Sequence, residues 1–402
     1  MNKLILIILV FSLVACKNNV SDGESSVVDT QPATDCTLSD TQAPVLGGSI
    51  SFSSEATINK SPEIKFNKAT DNCELSHYEI SIGTNVGGEQ VVSKLNIGDE
   101  TTYTVENLNL NYSDVYYLSL SAVDKAGNKS SLLSSSSFQV FTPKTLPNMV
   151  LWLDASRLDQ ILDSEGDDAN SANFSSDVKT WNDVSESTSE HHFVKEGQGF
   201  PQFDVSDRGI SFSGNQELMG TVDHVDINTG LINQRNLTAV FKTSDEINAR
   251  QVVYEEGGSV RGINIYIENG QVKCGFWNDR NDGDGQQGFV EVASNISSNT
   301  LYVVSLIFDY SNFVDASSAP GTIECYVNKA STGVVDTTSR LHAHSGDIGI
   351  GGMNNDSYFS DGAANGDGLY FDGIFYELLM YNKAHTDSEV EKLQELLLKK
   401  WK

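Results

Sequence analysis

The sequence predicts an all-β protein: a small β-sandwich, a larger two-sheet sandwich, and one helix at the C-terminus. Three observations carry this. Glycine occurs 33 times and, with Asn, Asp, Ser and Thr, breaks the chain into short segments with turn chemistry between them. Those segments alternate apolar and polar residues, the period of a half-buried strand. The last of them, Tyr370 to Tyr381, is apolar on both faces and is followed by a single helical pattern.

In chain order, Met1-Asn2-Lys3 is a short basic start, and Leu4 to Val14 is an apolar run too short to span a bilayer. Residues 1–15 therefore read as a signal peptide. Leu13-Val14-Ala15-Cys16 resembles the lipobox of bacterial lipoproteins. That resemblance implies cleavage before Cys16 and acylation of its thiol. Lys17 stands where the family's inner-membrane retention signal has Asp, which implies the outer membrane, facing the periplasm or the cell surface. The alternative is an ordinary secreted protein with a chance Cys. Residues 16–41 hold almost no bulky apolar side chains and read as a disordered tether. About 25 flexible residues reach roughly 25–30 Å.

Residues 42–143 read as the small sandwich. Tyr116, Leu118, Leu120 and Ala122 alternate on one face and run into the turn Asp124-Lys125-Ala126-Gly127-Asn128. His77 to Ile82 alternates as well. The stretch Tyr116 to Ser130 resembles fibronectin type III and related bacterial Ig-like modules, which implies an Ig-like sandwich. Ile64 and Phe66 stand in the early strand, where the usual core Trp is missing. No Arg-Gly-Asp triplet is present, and the segment reads as a spacer.

Residues 148–402 form the large domain. Further strands are expected at Leu237 to Thr243, Ile263 to Glu268, Gln271 to Trp277, Leu301 to Asp309 and Thr322 to Asn328. Asn269-Gly270 is a two-residue hairpin signal, because both residues tolerate the positive φ of a type I′ turn. It sets Ile267 against Val272, Ile265 against Cys274 and Ile263 against Phe276. On the last strand, strict alternation puts Ile374, Tyr376, Leu378 and Met380 on one face. Phe375, Glu377, Leu379 and Tyr381 take the other. Thr386 and Glu389 form a capping box, and Val390, Leu393, Leu396, Leu397 and Trp401 make the helix's apolar stripe.

Val150 to Ala155, Trp181-Asn182-Asp183, and the C-terminal strand, turn and helix resemble bacterial concanavalin A-like (laminin-G-like) sandwiches. The sequence departs from that pattern at His385 and Tyr376, and Trp181-Asn182-Asp183 lacks the Gly that often follows. The resemblance implies a jelly-roll sandwich that recognises a ligand, often with one calcium at its rim.

Cysteine usage suits export. With Cys16 assigned to lipid, Cys36, Cys73, Cys274 and Cys325 remain. Cys36 and Cys73 flank the start of the small sandwich and are expected to pair. Cys274 and Cys325 both lie on core faces, either as a bridge or as two buried thiols.

The 55 acidic and 26 basic residues give a net charge of -29. Such a chain is repelled by phosphate backbones, so nucleic acid is not an expected partner and a lipid anchor is the expected link to membrane. The chain carries no Glu-x-Asp-x-(x)-Glu strand of the kind that pairs carboxylates in glycosidases of this class. Glu165-Gly166-Asp167 lies in a polar loop, and Glu377 stands alone on an apolar strand, as a structural hydrogen-bond acceptor would. His342-x-His344 offers two metal ligands without a third, and His191-His192 says less still. Catalytic carboxylates gathered from distant loops stay open as an alternative.

Two loops are dense in oxygen ligands. One carries Asp279, Asp282 and Asp284, the other Asp356, Asp361 and Asp367. Calcium is the expected ion there; the other reading is that these residues only make turns. Ligand contact is expected from Trp277, with Tyr326, Glu324 and Asn328, if their strands share a sheet. An aromatic surface beside polar groups suits sugar. The other reading is that a loop or the C-terminal helix covers Trp277. The functional expectation is a surface-anchored lipoprotein that binds carbohydrate or another cell-surface ligand. The alternatives are a glycan-active enzyme and a structural envelope protein.

Overall fold

The computed structural model describes residues 40–52, 62–106, 108, 110, 114–135, 137–315, 318–346 and 348–402. The expected signal peptide, the expected lipidation site Cys16, nearly all of the expected tether and Cys36 lie outside the described residues. The expected Cys36–Cys73 bond falls outside with Cys36. The fold is all-β with one C-terminal helix, Asp387–Trp401.

The first core gathers around the pair Leu75–Gly83 and Val115–Asp124. Tyr116, Leu118, Leu120 and Ala122 are buried, with Tyr78, Ile80 and Ile82 across from them and Ile64 and Phe66 beside them. The turn after Val115–Asp124 closes because the Asp124 carboxylate accepts the Asn128 backbone N–H at 2.9 Å and its side-chain amide at 2.8 Å.

The second core lies between a nine-stranded and an eight-stranded sheet. In the first, Gln251–Gly257, Arg261–Glu268, Gln271–Asn278 and Gly288–Asn295 run side by side. In the second, Asp372–Tyr381 is central, flanked by Gln234–Thr243 and Gly209–Ser213, with Met149–Asp154 pairing along it as well. The hairpin has the expected register: Ile267 opposite Val272, Ile265 opposite Cys274 and Ile263 opposite Phe276. Asn269 and Gly270 take φ of +53° and +72°, as a type I′ turn requires. Phe276 stacks on Phe308 across the core, with centroids 5.2 Å apart.

Cys274 and Cys325 are disulfide-bonded, with Cα atoms 6.0 Å apart. Both side chains are fully buried, one on each sheet, so the bond staples the sheets together through the core.

The C-terminal strand corrects the expected faces. Its pairing with Gln234–Thr243 shifts register between Val240 and Phe241. The extra residue of this bulge flips the alternation. Phe375 therefore joins Leu378 and Met380 in the inter-sheet core, while Ile374, Tyr376, Leu379 and Tyr381 meet the helix side. The helix starts where expected: the Thr386 N–H donates to the Glu389 carboxylate at 2.8 Å. Val390, Leu393 and Leu397 are buried beneath it, whereas Leu396 is only partly covered.

Candidate functional site: a polar cleft at the sandwich rim

Three segments meet at one end of the nine-stranded sheet. The turn Gly258-Ser259-Val260-Arg261 connects two of its strands and closes by a Gly258 N–H to Arg261 carbonyl bond of 3.0 Å. The loop after Asn278 brings Arg280, and Ala343-His344-Ser345 comes from the approach to Ile348–Ile350. With Asp356 they line a cleft of about 240 Å³.

Arg261 ties the segments together. Its guanidinium donates to the Ala343 carbonyl at 3.1 Å and forms a fork on the Asp282 carboxylate, with Nε 3.0 Å from Oδ2. Burial alone would raise the Asp282 pKa, but the Arg261 and Asn278 hydrogen bonds hold it below its ordinary value. Deeper in, Asp284 accepts from Arg340 at 2.8 Å and lies 2.9 Å from His342 Nε2. Its pKa is likewise held down by Arg340 against the pull of burial. Arg280 differs from these. It is exposed, and its guanidinium has no hydrogen-bond or ion-pair partner among the described residues.

Behind the cleft lies a buried polar network. Glu256 is fully buried and accepts from the Tyr254 hydroxyl at 2.7 Å; Arg235, from the opposite sheet, stands 3.5 Å away. His344 Nε2 is 3.9 Å from the same carboxylate, and burial lowers the His344 pKa. The network bridges the two sheets, and His344, whose Nδ1 lies 2.8 Å from the His342 carbonyl, stands beside it at the cleft.

The structure corrects the expected aromatic site. Gln271–Asn278 belongs to the nine-stranded sheet and Gly321–Val327 to the eight-stranded one. Cys274 and Cys325 face each other in the core, so Trp277 and Tyr326, pointing the other way, stand on opposite outer faces. Both are covered. Trp277 is fully buried beneath Tyr358, which comes from the hairpin Asp356–Phe359 and Gly362–Asn365. Tyr326 packs under Val390 of the helix. Glu324 accepts from the Ser331 hydroxyl. Asn328 is a turn residue with φ of +50° whose side chain accepts the Val303 N–H at 2.9 Å.

The acidic side chains are engaged within the chain itself, Asp282, Asp284 and Asp361 by arginines and Asp279 and Asp367 by amide donors. Asp361 forms a two-pronged pair with Arg250, at 2.9 and 3.1 Å. Asp279 accepts from the Gln286 amide at 2.7 Å, and Asp367 accepts the Asn355 N–H at 3.1 Å. Among the described residues, no three of Asp279, Asp282, Asp284, Asp356, Asp361 and Asp367 converge as an ion's ligand set. The loops do share a feature the sequence left unread: Arg280 of the first and Asp356 of the second line the same cleft. A single Arg inside an acid-rich turn was the available signal.

Glu377, alone on its strand, is fully buried and structural. It accepts from the Trp152 indole at 2.7 Å, the Trp401 indole at 2.6 Å and Lys400 at 2.8 Å. Burial and the neighbouring Asp154 push its pKa up to about 7.

Fold and site together define an all-β protein of packed sheets with a polar cleft at one rim. No protein-family model and no curated protein matches the chain. Among solved structures it is similar to the receptor binding domain of botulinum neurotoxin D: 8% identity, TM-score 0.41, covering 63% of this chain and 53% of that one. The botulinum neurotoxin type G receptor binding domain gives 9%, 0.40, 62% and 51%. The binding domain of botulinum neurotoxin DC in complex with SialylT gives the same four values. The chain thus spans about half the length of the chains it matches. Likeness at this level does not extend to function.

Proposed function

We propose that the chain is a recognition protein whose large sandwich binds an acidic glycan at the rim cleft. In this reading the part of the chain before the folded body is the lipid-anchored tether expected from Cys16. The first sandwich is an Ig-like spacer, and the second is a concanavalin A-like head. Arg280 carries the proposal: an exposed guanidinium lining a cleft, without a partner among the described residues, where Arg261 and Arg340 face carboxylates. A guanidinium takes a carboxylate or sulfate in a two-pronged hydrogen bond. Ser259, Ser345, Asp356 and the backbone of the Gly258 turn supply donors and acceptors for sugar hydroxyls. The net charge of -29 does not forbid this. Repulsion beyond about 8 Å is screened at physiological salt, so the groups lining the cleft decide.

The experiment is an array of neutral, uronate-containing, sialylated and sulfated oligosaccharides probed with the full chain, with release of reducing ends measured in parallel. Binding confined to the acidic set supports the proposal. Equal binding to neutral sugars contradicts it, and release of reducing ends would show an enzyme instead.

A further inference from the structure

His191 is 2% exposed, yet its Nε2 has no hydrogen-bond partner. A buried imidazole nitrogen left unpaired is costly unless something binds there. Its ring packs edge-on against His224, with centroids 4.7 Å apart. Asp226 completes the group: one ligand atom from each of the three side chains lies within 4.8 Å of the other two. We propose that His191, His224 and Asp226 form a binding site for a zinc-class divalent transition-metal ion, at a place apart from the glycan cleft.

The donor set selects the metal. Two imidazoles and one carboxylate suit zinc, nickel or ferrous iron and do not suit calcium, which takes oxygen ligands. The spacing fits. His224 Nδ1 and Asp226 Oδ2 are 3.4 Å apart. Two ligands each about 2.05 Å from a tetrahedral ion would stand about 3.3 Å apart. An ion there would replace the 3.2 Å contact from the Asp226 N–H to His224 Nδ1. His224 and Asp226 keep about a third of their side-chain surface exposed, so the ion can enter and a water can fill its remaining position.

The backbone at all three ligands is also held in place without the ion, and at Asp226 the Asn382 side-chain amide donates to the carbonyl at 2.9 Å. The Asp183 carboxylate accepts the His191 backbone N–H at 3.1 Å. The fully buried Asn228 accepts the His224 N–H at 3.0 Å and donates to Asp223 at 2.6 Å. Asn228 also reaches the cleft wall, because its carbonyl accepts the His344 N–H at 2.9 Å. An ion would tie the His191 loop to the Asn228 loop and stiffen that wall.

The test is calorimetric titration of the untagged, chelator-treated full chain with zinc chloride, alongside melting curves. The expected result is one equivalent bound with a raised melting temperature. His224→Gln and Asp226→Asn, both at partly exposed positions, should fold normally and bind zinc at least tenfold more weakly. Calcium chloride should give no heat that these variants abolish. His191→Ala is a secondary variant, because it opens a cavity and can fail to fold. No heat with zinc and an unchanged melting temperature would overturn the site. So would zinc binding left intact in both His224→Gln and Asp226→Asn.

Discussion

The indole N–H of Trp277 donates to the carbonyl of Gly258 at 2.8 Å. The largest aromatic near the cleft is therefore its foundation, holding from below the turn whose backbone lines it. Gly262 must be glycine for this arrangement, since a Cβ there would meet the indole at 2.5 Å. Trp277→Ala should destabilise the large sandwich by about 3–5 kcal/mol, the cost of emptying a buried indole site. Denaturant titration checks it. Unchanged stability would mean that the indole is not packed as described.

Glu377 ties the first strand of the large sandwich to the last helix, through Trp152 on one side and Trp401 and Lys400 on the other. Glu377→Ala orphans two indole N–H groups and leaves the Lys400 ammonium with Asp154 alone, at 2.7 Å. A loss of about 2–4 kcal/mol is expected, together with earlier melting of the helix end seen in tryptophan fluorescence. A variant as stable as the parent would contradict the bridging role.

The Cys274–Cys325 bond closes a loop across 51 positions of sequence. Removing it as Cys274→Ala with Cys325→Ala should cost roughly 4 kcal/mol, mainly by freeing the unfolded chain. Because both sulfurs are buried, a mild reductant should leave the folded protein oxidised. Mass measurement after alkylation reads this directly. Rapid labelling of both thiols without unfolding would contradict their burial.

Burial lowers the pKa of both His344 and His385. In the folded state they stay neutral where the unfolded chain, with values near 6.5, already takes up protons. Stability is therefore full above about pH 6.5 and falls as the pH drops below it, by up to about 1.4 kcal/mol per pH unit for each group. Between pH 7.5 and pH 5.5 Glu377, whose raised value makes folding take up a proton, acts in the opposite sense. Chemical denaturation at the two pH values is therefore compared between the parent and His385→Gln, and the parent should lose more stability than the variant. An equal loss in both would mean that the His385 imidazole is solvated.

Much of the fold was legible because its signals are local. The Asn269-Gly270 turn specified a whole register from two residues, and the Thr386–Glu389 cap placed the helix start. The faces of Asp372–Tyr381 were not legible, because a bulge depends on the neighbouring strand. The aromatic site failed for a related reason. Alternation says that Trp277 and Tyr326 point away from Cys274 and Cys325, but not that the two strands lie in different sheets. The cleft and the His191 group join loops far apart in sequence, and no spacing rule reaches that distance.

The central claim is that Arg280 receives the acidic group of a glycan. The direct measurement is calorimetric titration of the full chain and of Arg280→Glu with the tightest acidic oligosaccharide from the array, at physiological salt. Arg280 is exposed and has no side-chain partner among the described residues, so the variant should melt like the parent. The account predicts that binding weakens at least tenfold in Arg280→Glu. Unaltered affinity in a normally folded Arg280→Glu would contradict it.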